Sequence, residues 1–401
     1  MSQSLHVLIA GAGIGGLTAA LALLKDGHHV TLVERADEIS ETGAGLQLAP
    51  NATSVFDQLD FLEQVRRVAL MPDVLIVRRG RDGARLMDMQ MGPIAETRWR
   101  APSLVVHRAD LQRVLLQAVQ SSAQARLVTG AEVLGFATTS TGVQIGAQKD
   151  GRNIRIDGDL LVGADGLHSA IRNRLGLGAT DTPIYSGRTA WRALLKAEDA
   201  PPAALHFATN LWLGPQAHLV HYPLREGELI NIVAIAEDGW QGNADGDFWD
   251  QRGDPRQINH RFSRWHASAR ELIGAVQSWR RWPLFDRNPV SRWSLDRVVL
   301  LGDAAHPVLP FLAQGACLAI EDAGVLSSAL ARAQGDVNTA IRNYEERRIV
   351  RSTEIRIASR RQGSIYHMSG AQAMARDFVM RRTSQKRLEA RMDWIYRYRA
   401  L

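Results

Sequence analysis

Leu5-His6-Val7-Leu8-Ile9-Ala10-Gly11-Ala12-Gly13-Ile14-Gly15-Gly16-Leu17 opens the chain, and the residues flanking its glycines decide the fold. Leu5 to Ala10 is an apolar run of strand length, Leu17 to Lys25 reads as a helix, and Gly27 ends that helix. Val30 to Val33 is a second strand, closed by Glu34. The whole is a β-α-β unit with glycines at 11, 13 and 16 and an acid 18 residues beyond the last of them. Each glycine has its own physical reason: Gly11 permits a tight turn, Gly13 lets the backbone approach a pyrophosphate, and Gly16 allows close helix packing. Glu34 can accept from a ribose hydroxyl, so the stretch predicts a dinucleotide site on a Rossmann-like sheet. Gly15, inside the motif, and Arg35, beside the acid, are counted with it.

Downstream, Thr42-Gly43-Ala44-Gly45-Leu46-Gln47 reads as a second flexible glycine loop, contributing Gly45 and Gln47 to the cofactor side, and Pro50-Asn51 starts a helix through about Leu59. Val74 to Arg79 and Ala84 to Met89 read as strands joined by Gly80-Arg81-Asp82-Gly83, a hairpin signal. Leu104 to Asp110 is again a strand leading into a helix, and β-structure follows at Val128 to Thr138, Val143 to Ala147 and Asn153 to Ile156. A second landmark is Leu160-Leu161-Val162-Gly163-Ala164-Asp165-Gly166, a strand running into an acid and a glycine before a helix near Ser169. At a strand's carboxyl end, Asp165 and Gly166 can hold sugar hydroxyls.

From Arg188 to about Trp282 the pattern changes to alternating strands at Ala190 to Leu195, Leu205 to Leu213, His218 to Pro223 and Leu229 to Ala236. Eight of the ten tryptophans lie between Trp191 and Trp293; some could line an aromatic pocket, while core packing must account for most. The third landmark follows: Val298 to Leu301 is a buried strand, Gly302-Asp303 stops it, and Pro307 and Pro310 punctuate a loop to Gln314-Gly315. A helix opening at Gly315-Ala316-Cys317 turns amide groups toward this edge, where negative charge is favoured. Asp322 to about Met368 is mainly helical, as is the tail to Leu401.

Composition bounds the function. The 401 residues are 45% hydrophobic and 22% charged, which is an ordinary globular balance. One cysteine excludes an internal disulfide framework, no export signal is legible, and no apolar run approaches the roughly 20 residues needed to cross a bilayer. A cytoplasmic location is expected. The net charge is +6, but the segment from Asn338 to Leu401 alone holds 15 Lys or Arg against 6 Asp or Glu. Arg347, Arg348, Arg351, Arg360 and Arg361 recur there at helical spacing, which predicts solvated helix faces rather than a phosphate track, and no nucleic-acid partner.

Taken together, Gly11 to Gly16 with Glu34, Asp165-Gly166, and Gly302-Asp303 with Pro307, Pro310 and Gln314-Gly315 resemble the single-component FAD-dependent aromatic hydroxylases. Within the p-hydroxybenzoate hydroxylase family, the chain resembles the salicylate and 3-hydroxybenzoate 6-hydroxylase branch. The resemblance covers most of the chain and implies an α/β fold: a Rossmann-like FAD-binding domain interleaved with a mainly antiparallel β substrate domain, plus C-terminal helices. The boundaries expected are 1–71, 98–180 and 283–340 for FAD, 72–97 and 181–282 for substrate, and 341–401 for the helical region. It further implies that the first motif holds the adenosine diphosphate part of FAD, that Asp165-Gly166 is linked to FAD and NAD(P)H binding, and that Asp303 contacts the ribityl chain. Arg108 is a further FAD contact by the same resemblance. NAD(P)H binds transiently, because no second nucleotide-binding repeat is present. The metal complement implied is none.

The activity implied is NAD(P)H- and O2-dependent hydroxylation of a small hydroxylated aromatic acid, through a flavin C4a-hydroperoxide that must be kept from water. Such chemistry belongs to the breakdown of aromatic compounds. A phenol reacts faster once deprotonated, so a base is expected. In His218-Leu219-Val220-His221-Tyr222-Pro223, alternation puts His218, Val220 and Tyr222 on one face and His221 on the other. His218 and Tyr222 resemble the substrate-lining pair of that branch, with Gln314 and Pro310 as further pocket residues. Ser103 stands where that branch has tyrosine, and Cys317 where many relatives have asparagine; Cys317 reads as a packing residue or a reactive thiol. A hydroxylase or epoxidase for a larger quinone-like or polyketide-like substrate, and a non-catalytic flavin redox sensor, are the alternatives. A halogenase is disfavoured by the absence of a Trp-x-Trp-x-Ile-Pro stretch. Oligomeric state is not legible, with a homodimer left open.

Overall fold

In the computed structural model, residues 4–39, 44–177, 181–240 and 251–401 are described. The first sheet runs in the order Ser294–Leu295, Val298–Leu300, Leu160–Gly163, His6–Ala10, His29–Val33, Ala125–Val128. Its strands are parallel except at the Ser294–Leu295 edge. Val7, Leu8, Ile9, Leu161, Val162 and Val299 are fully buried, because helices cover both faces of a parallel sheet and leave no solvated side. One covering helix is Ile14–Lys25, which packs on the Gly315–Arg332 helix. Two of the three landmark edges, after Ala10 and after Gly163, therefore leave adjacent strands at the same end. The third, after Leu300, joins them through the Leu160–Gly163 strand. That adjacency is what brings the three motifs together.

The second sheet has eight strands, in the order Gln251–Gly253, Trp279–Asp286, Ile184–Lys196, Leu229–Glu237, Ala217–Leu224, Ala208–Gly214, Val74–Arg79, Arg85–Gln90. It is antiparallel except where the predicted hairpin joins it, Val74–Arg79 lying parallel to Ala208–Gly214. One face packs on the Pro255–Arg261 and Ala267–Ala275 helices and buries Trp191, Trp212, Trp265 and Trp279 with Leu219, Ile232 and Phe262. Core packing thus accounts for these four tryptophans. The opposite face carries Ala190 and Ile235 against Leu309 and Phe311.

Two expectations change. The segment Gly45–Leu48 is a strand, paired antiparallel with Leu104–His107 from Gly45 opposite His107 to Leu48 opposite Leu104. Its glycine composition hid a partner supplied from about 60 residues away; Thr42 and Gly43 lie outside the described residues. The C-terminal arginines are not uniformly solvated either. Arg348 and Arg351, on the Val337–Tyr366 helix, are buried, and their planar forks meet Glu321 at 2.5 and 2.8 Å, while Arg348 also donates to Asp322 at 2.6 Å. A buried carboxylate pair on one helix explains a cation pair on the next. Beyond them the chain ends in the helices Gly370–Arg382 and Gln385–Tyr396.

Candidate active site

The glycine loop has the shape that a dinucleotide needs. Gly11 has φ +102°, and a Cβ there would stand 2.5 Å from the Ala164 carbonyl oxygen; one at Gly16 would stand 2.0 Å from the Gly11 oxygen. Gly13, which caps the Ile14–Lys25 helix, has nothing within 4 Å of the same position, so a ligand can approach its backbone. At Gly15 an added Cβ would meet Leu301 Cδ2 at 2.8 Å and Ala319 Cβ at 3.0 Å, so its smallness also serves the packing of its helix on the Gly315–Arg332 helix. Glu34 accepts from Ala12 N at 2.8 Å and from Ala36 N at 3.0 Å, holding the loop at the end of its strand, with Arg35 exposed beside it.

Asp165 has a second occupation that sequence reasoning missed. Its carboxylate accepts from Ser169 Oγ and from Ile171 N at 3.1 Å, so it caps the Ala170–Leu175 helix. Burial pushes its pKa up against those hydrogen bonds. Gly166, at φ +78°, has open space where a side chain would be. These two residues build the turn beside the cleft, and Gly166 is the one that leaves room for a ligand.

The Gly302-Asp303 turn is held from behind. Asp322 Oδ2 accepts from Gly302 N at 2.9 Å and faces His306 Nε2 at 2.7 Å, and Arg172 donates to the carbonyls of Ala304 and Ala305 at 2.8 and 2.7 Å. His306 is thereby structural. Asp303 points the other way: it is solvent-accessible, yet surrounding protein raises its carboxyl above the usual range, with His306 and Arg108 opposing and Asp322 adding to the rise. Accessibility together with crowding describes a carboxylate in a cleft wall, and Arg108 is close enough to act on it electrostatically.

Ahead of the Gly315–Arg332 helix, Ala313 adopts φ +52°, an uncommon conformation for alanine, which directs the following Gln314 inward. Gln314 is buried; its Oε1 accepts from Asn51 Nδ2 at 2.9 Å, and its Nε2 has no hydrogen-bond partner. Asn51 also donates to Glu321 at 2.6 Å, linking Gln314 to the buried arginines. Gly315 and Ala316 begin the helix with their amides unneeded by it. The Cys317 thiol lies against Ala49 N at 3.4 Å and the carbonyls of Gln47 and Ala313, both at 3.6 Å. Burial pushes that thiol up to about 12, which favours the packing reading over the reactive thiol.

On the second sheet the predicted alternation is observed. Leu213, Leu211 and Asn210 pair in turn with His218, Val220 and His221, and Ile235, Val233 and Asn231 pair with His218, Val220 and Tyr222. His218 lies 5.6 Å from the Phe311 ring and 5.2 Å from that of Tyr366, centroid to centroid, beside the Pro310–Leu312 turn. Ser359 Oγ pins this turn through the Leu309 carbonyl at 2.6 Å. Tyr222, near Gly45 and Asn231, has its phenol pushed up by burial, with Arg192 opposing. Asn231 Oδ1 accepts from Gly45 N at 2.8 Å, leaving Nδ2 without a partner. His221 is on the other face, accepting from Trp212 Nε1 at 3.2 Å, its pKa lowered to about 3 by burial first and Arg78 second. Asn51, Asn231, Phe311 and Tyr366 were not singled out from sequence, since nothing local marks an apolar or amide residue as facing a ligand.

A dinucleotide cleft that ends against a dry face bearing histidine and aromatic rings is the layout of a flavoprotein aromatic monooxygenase, and this chain is an enzyme of that class. Residues 4–356 match the family model for the FAD binding domain, and the chain belongs to that family. It is 35% identical over 392 residues to 3-hydroxybenzoate 6-hydroxylase of Polaromonas naphthalenivorans (strain CJ2), covering 98% of this chain and 96% of the relative. It is equally 35% identical, over 403 residues, to 3-amino-4-hydroxybenzoate 2-monooxygenase PtmB3 of Streptomyces platensis, covering 98% and 96%. Among solved structures, Klebsiella pneumoniae HpxO complexed with FAD and uric acid is 27% identical with a TM-score of 0.83, covering 96% of this chain and 95% of that one. A salicylate hydroxylase substrate complex shares the fold at 24% identity and a TM-score of 0.81, with 99% and 96% covered. FAD is the cofactor, and the open approach at Gly13, the room at Gly166 and the accessible Asp303 fit it.

Proposed function

We propose that the enzyme hydroxylates a small hydroxylated aromatic acid of the hydroxybenzoate, salicylate or hydroxynicotinate type, using NAD(P)H and O2. The observation that carries this reading is His218 on a buried face opposite the Pro310–Leu312 turn, with Gln314 nearby in sequence offering an unpartnered amide. The names of the relatives at 35% identity support it.

Bound FAD supplies the two-electron redox chemistry and the activation of dioxygen. The chain's residues do the rest. Gly11, Gly13 and Gly16 admit the pyrophosphate, Glu34 lies by the ribose, and Asp303 with Arg108 holds the ribityl chain. Asp165 and Gly166 shape the adjoining turn, and Gly45 and Gln47 form a facing strand. The amides of Gly315, Ala316 and Cys317 stabilise negative charge on the reduced ring. His218, neutral because burial, His367 and Arg188 all lower its pKa, accepts the phenolic proton. Tyr222 and Gln314 orient the ring, Pro310 and Phe311 exclude water, and Arg192 favours an anionic substrate. Segments 1–71, 98–180 and 283–340 serve FAD in this reading, and 72–97 and 181–282 the substrate.

The test is a panel of 3-hydroxybenzoate, salicylate and 6-hydroxynicotinate with NADH or NADPH in air, scored by chromatography for hydroxylated product. Substrate-dependent NAD(P)H oxidation with product from one of them is expected. Reduction of the flavin with no hydroxylated product from any of them would sink the reading.

A further inference from the structure

His218 is buried, so a proton that it takes from a substrate needs a way out. Its Nδ1 lies 2.8 Å from Nε2 of His367, which follows the Val337–Tyr366 helix. His367 is itself 6% exposed, and its Nδ1 faces two groups of opposite kind: Glu237 Oε1, an acceptor, at 3.1 Å, and Arg188 Nε, a donor, at 3.3 Å. Glu237 is the last residue of the Leu229–Glu237 strand, and its side chain is 35% exposed. The three residues thus form an unbroken chain of hydrogen-bonding atoms from the pocket face to solvent, contributed by two strands and the end of a helix.

The fork at His367 matters most. An imidazole fixed in one tautomer by a single partner can orient a neighbour, but it passes protons poorly, because the second tautomer would leave a buried nitrogen unsatisfied. Here both tautomers are satisfied. With the proton on Nδ1, His367 donates to Glu237 and accepts from His218; with it on Nε2, it accepts from Arg188 and donates to His218.

We propose that His218, His367 and Glu237 are a proton relay between the substrate pocket and solvent, with Arg188 holding the return tautomer of His367. The inference rests on the phenolic-substrate reading above. In the outward direction the substrate O–H bond breaks and its proton goes to His218 Nε2, the Nδ1 proton of His218 passes to His367 Nε2, and the Nδ1 proton of His367 passes to Glu237 and water. One proton leaves, both rings change tautomer, and no other reagent is consumed. When the product oxygen regains a proton, the same steps run backwards and restore the starting tautomers. The charged and titratable groups around the pair are Arg188, Glu237 and Tyr366, with Arg261 acting on His367 from the Pro255–Arg261 helix. Burial, Arg188 and Arg261 outweigh Glu237 and bring His367 down to about 4, which keeps the relay neutral at rest. His367 is a positioning and proton-transferring residue; in this reading it does not touch substrate.

The experiment mixes FAD-loaded enzyme with 3-hydroxybenzoate in lightly buffered solution and follows phenolate absorbance and proton release with a pH indicator, without NAD(P)H, so that turnover is not the readout. His367→Gln keeps an amide nitrogen beside His218 but cannot shuttle a proton. It should bind 3-hydroxybenzoate with the wild-type dissociation constant and release the proton at least about tenfold more slowly. Glu237→Gln, altered at the exposed end where folding is not at risk, should slow the same step by about threefold and regain the wild-type rate in added imidazole buffer. Wild-type proton release in His367→Gln overturns the relay while leaving the substrate reading intact; if that variant does not fold, wild-type release in Glu237→Gln does so. Wild-type enzyme that binds none of the three panel acids overturns the substrate reading and the relay with it.

Discussion

His306 Nε2 lies 2.7 Å from Asp322 Oδ2, and the same oxygen accepts from Gly302 N at 2.9 Å, so one buried carboxylate pins both ends of the turn that presents Asp303. Burial alone would raise the Asp322 carboxyl, but His306 and Arg348 overcome it and hold it at about 2. Because the folded value lies below the ordinary carboxylate value, the stability it confers is fully present above about pH 4 and is lost as pH falls toward 2. Asp322→Ala should therefore destabilise the fold by about 3–5 kcal/mol at neutral pH, leaving Arg348 partly uncompensated. Its urea denaturation midpoint at pH 7 checks this; a midpoint within experimental error of wild type would remove Asp322 from the role.

Asp303 carries the opposite sign. Its carboxyl is raised by its surroundings, so the ionised form opposes folding, and the penalty grows as pH rises through its folded value. Asp303→Asn should bring apoprotein that melts at a higher temperature than wild-type apoprotein at pH 7, yet retains less FAD through gel filtration. Full flavin occupancy after purification would argue against its place on the ribityl chain.

Gly13 and Gly15 are two residues apart and should fail differently. Gly15→Ala forces a methyl group against Leu301 and Ala319 and should cost about 1–3 kcal/mol of stability by overpacking. Gly13→Ala meets no protein atom within 4 Å, so the apoprotein should melt as wild type does while FAD affinity falls. Differential scanning fluorimetry of apoprotein beside flavin titration separates them; equal melting losses would contradict the assignment.

Opposite faces of one strand give a third contrast. His218→Ala should slow hydroxylation by about 10²–10⁴-fold with FAD still bound. His221→Ala should leave the rate per folded enzyme near wild type and lower stability by about 1–3 kcal/mol, because Trp212 Nε1 loses its buried acceptor. Product formation by His218→Ala at the wild-type rate across pH would exclude it as the base.

Cys317, the chain's one cysteine, should be inert in the native state. With its thiol buried and pushed up to about 12, a disulfide reagent at pH 8 should label it only after denaturation. Stoichiometric labelling of native enzyme within minutes would show that the helix start opens.

The local signals were legible where one residue's backbone freedom or one period carried the information. Gly11 and Gly16 could be read from their spacing because the turn between strand and helix has no room for a side chain at either. His218, Val220 and Tyr222 could be assigned to one face, and His221 to the other, because a strand alternates with a period of two. The sequence by itself therefore determined the dinucleotide fold, the three motifs and the strand face that bears His218 and Tyr222.

Only the tertiary structure decided what each face meets. The burial of Arg348 and Arg351 depends on Glu321 and Asp322 on another helix, and the strand at Gly45–Leu48 exists because Leu104–His107 lies beside it. Gly15 also packs against Ala319, and Asp165 also caps its own helix, contacts that their motifs alone do not announce. His367, 149 residues from His218, is joined to it only by the way the long C-terminal helix ends against the second sheet. Such pairings follow from long-range packing, which leaves no periodic trace in either partner's own sequence.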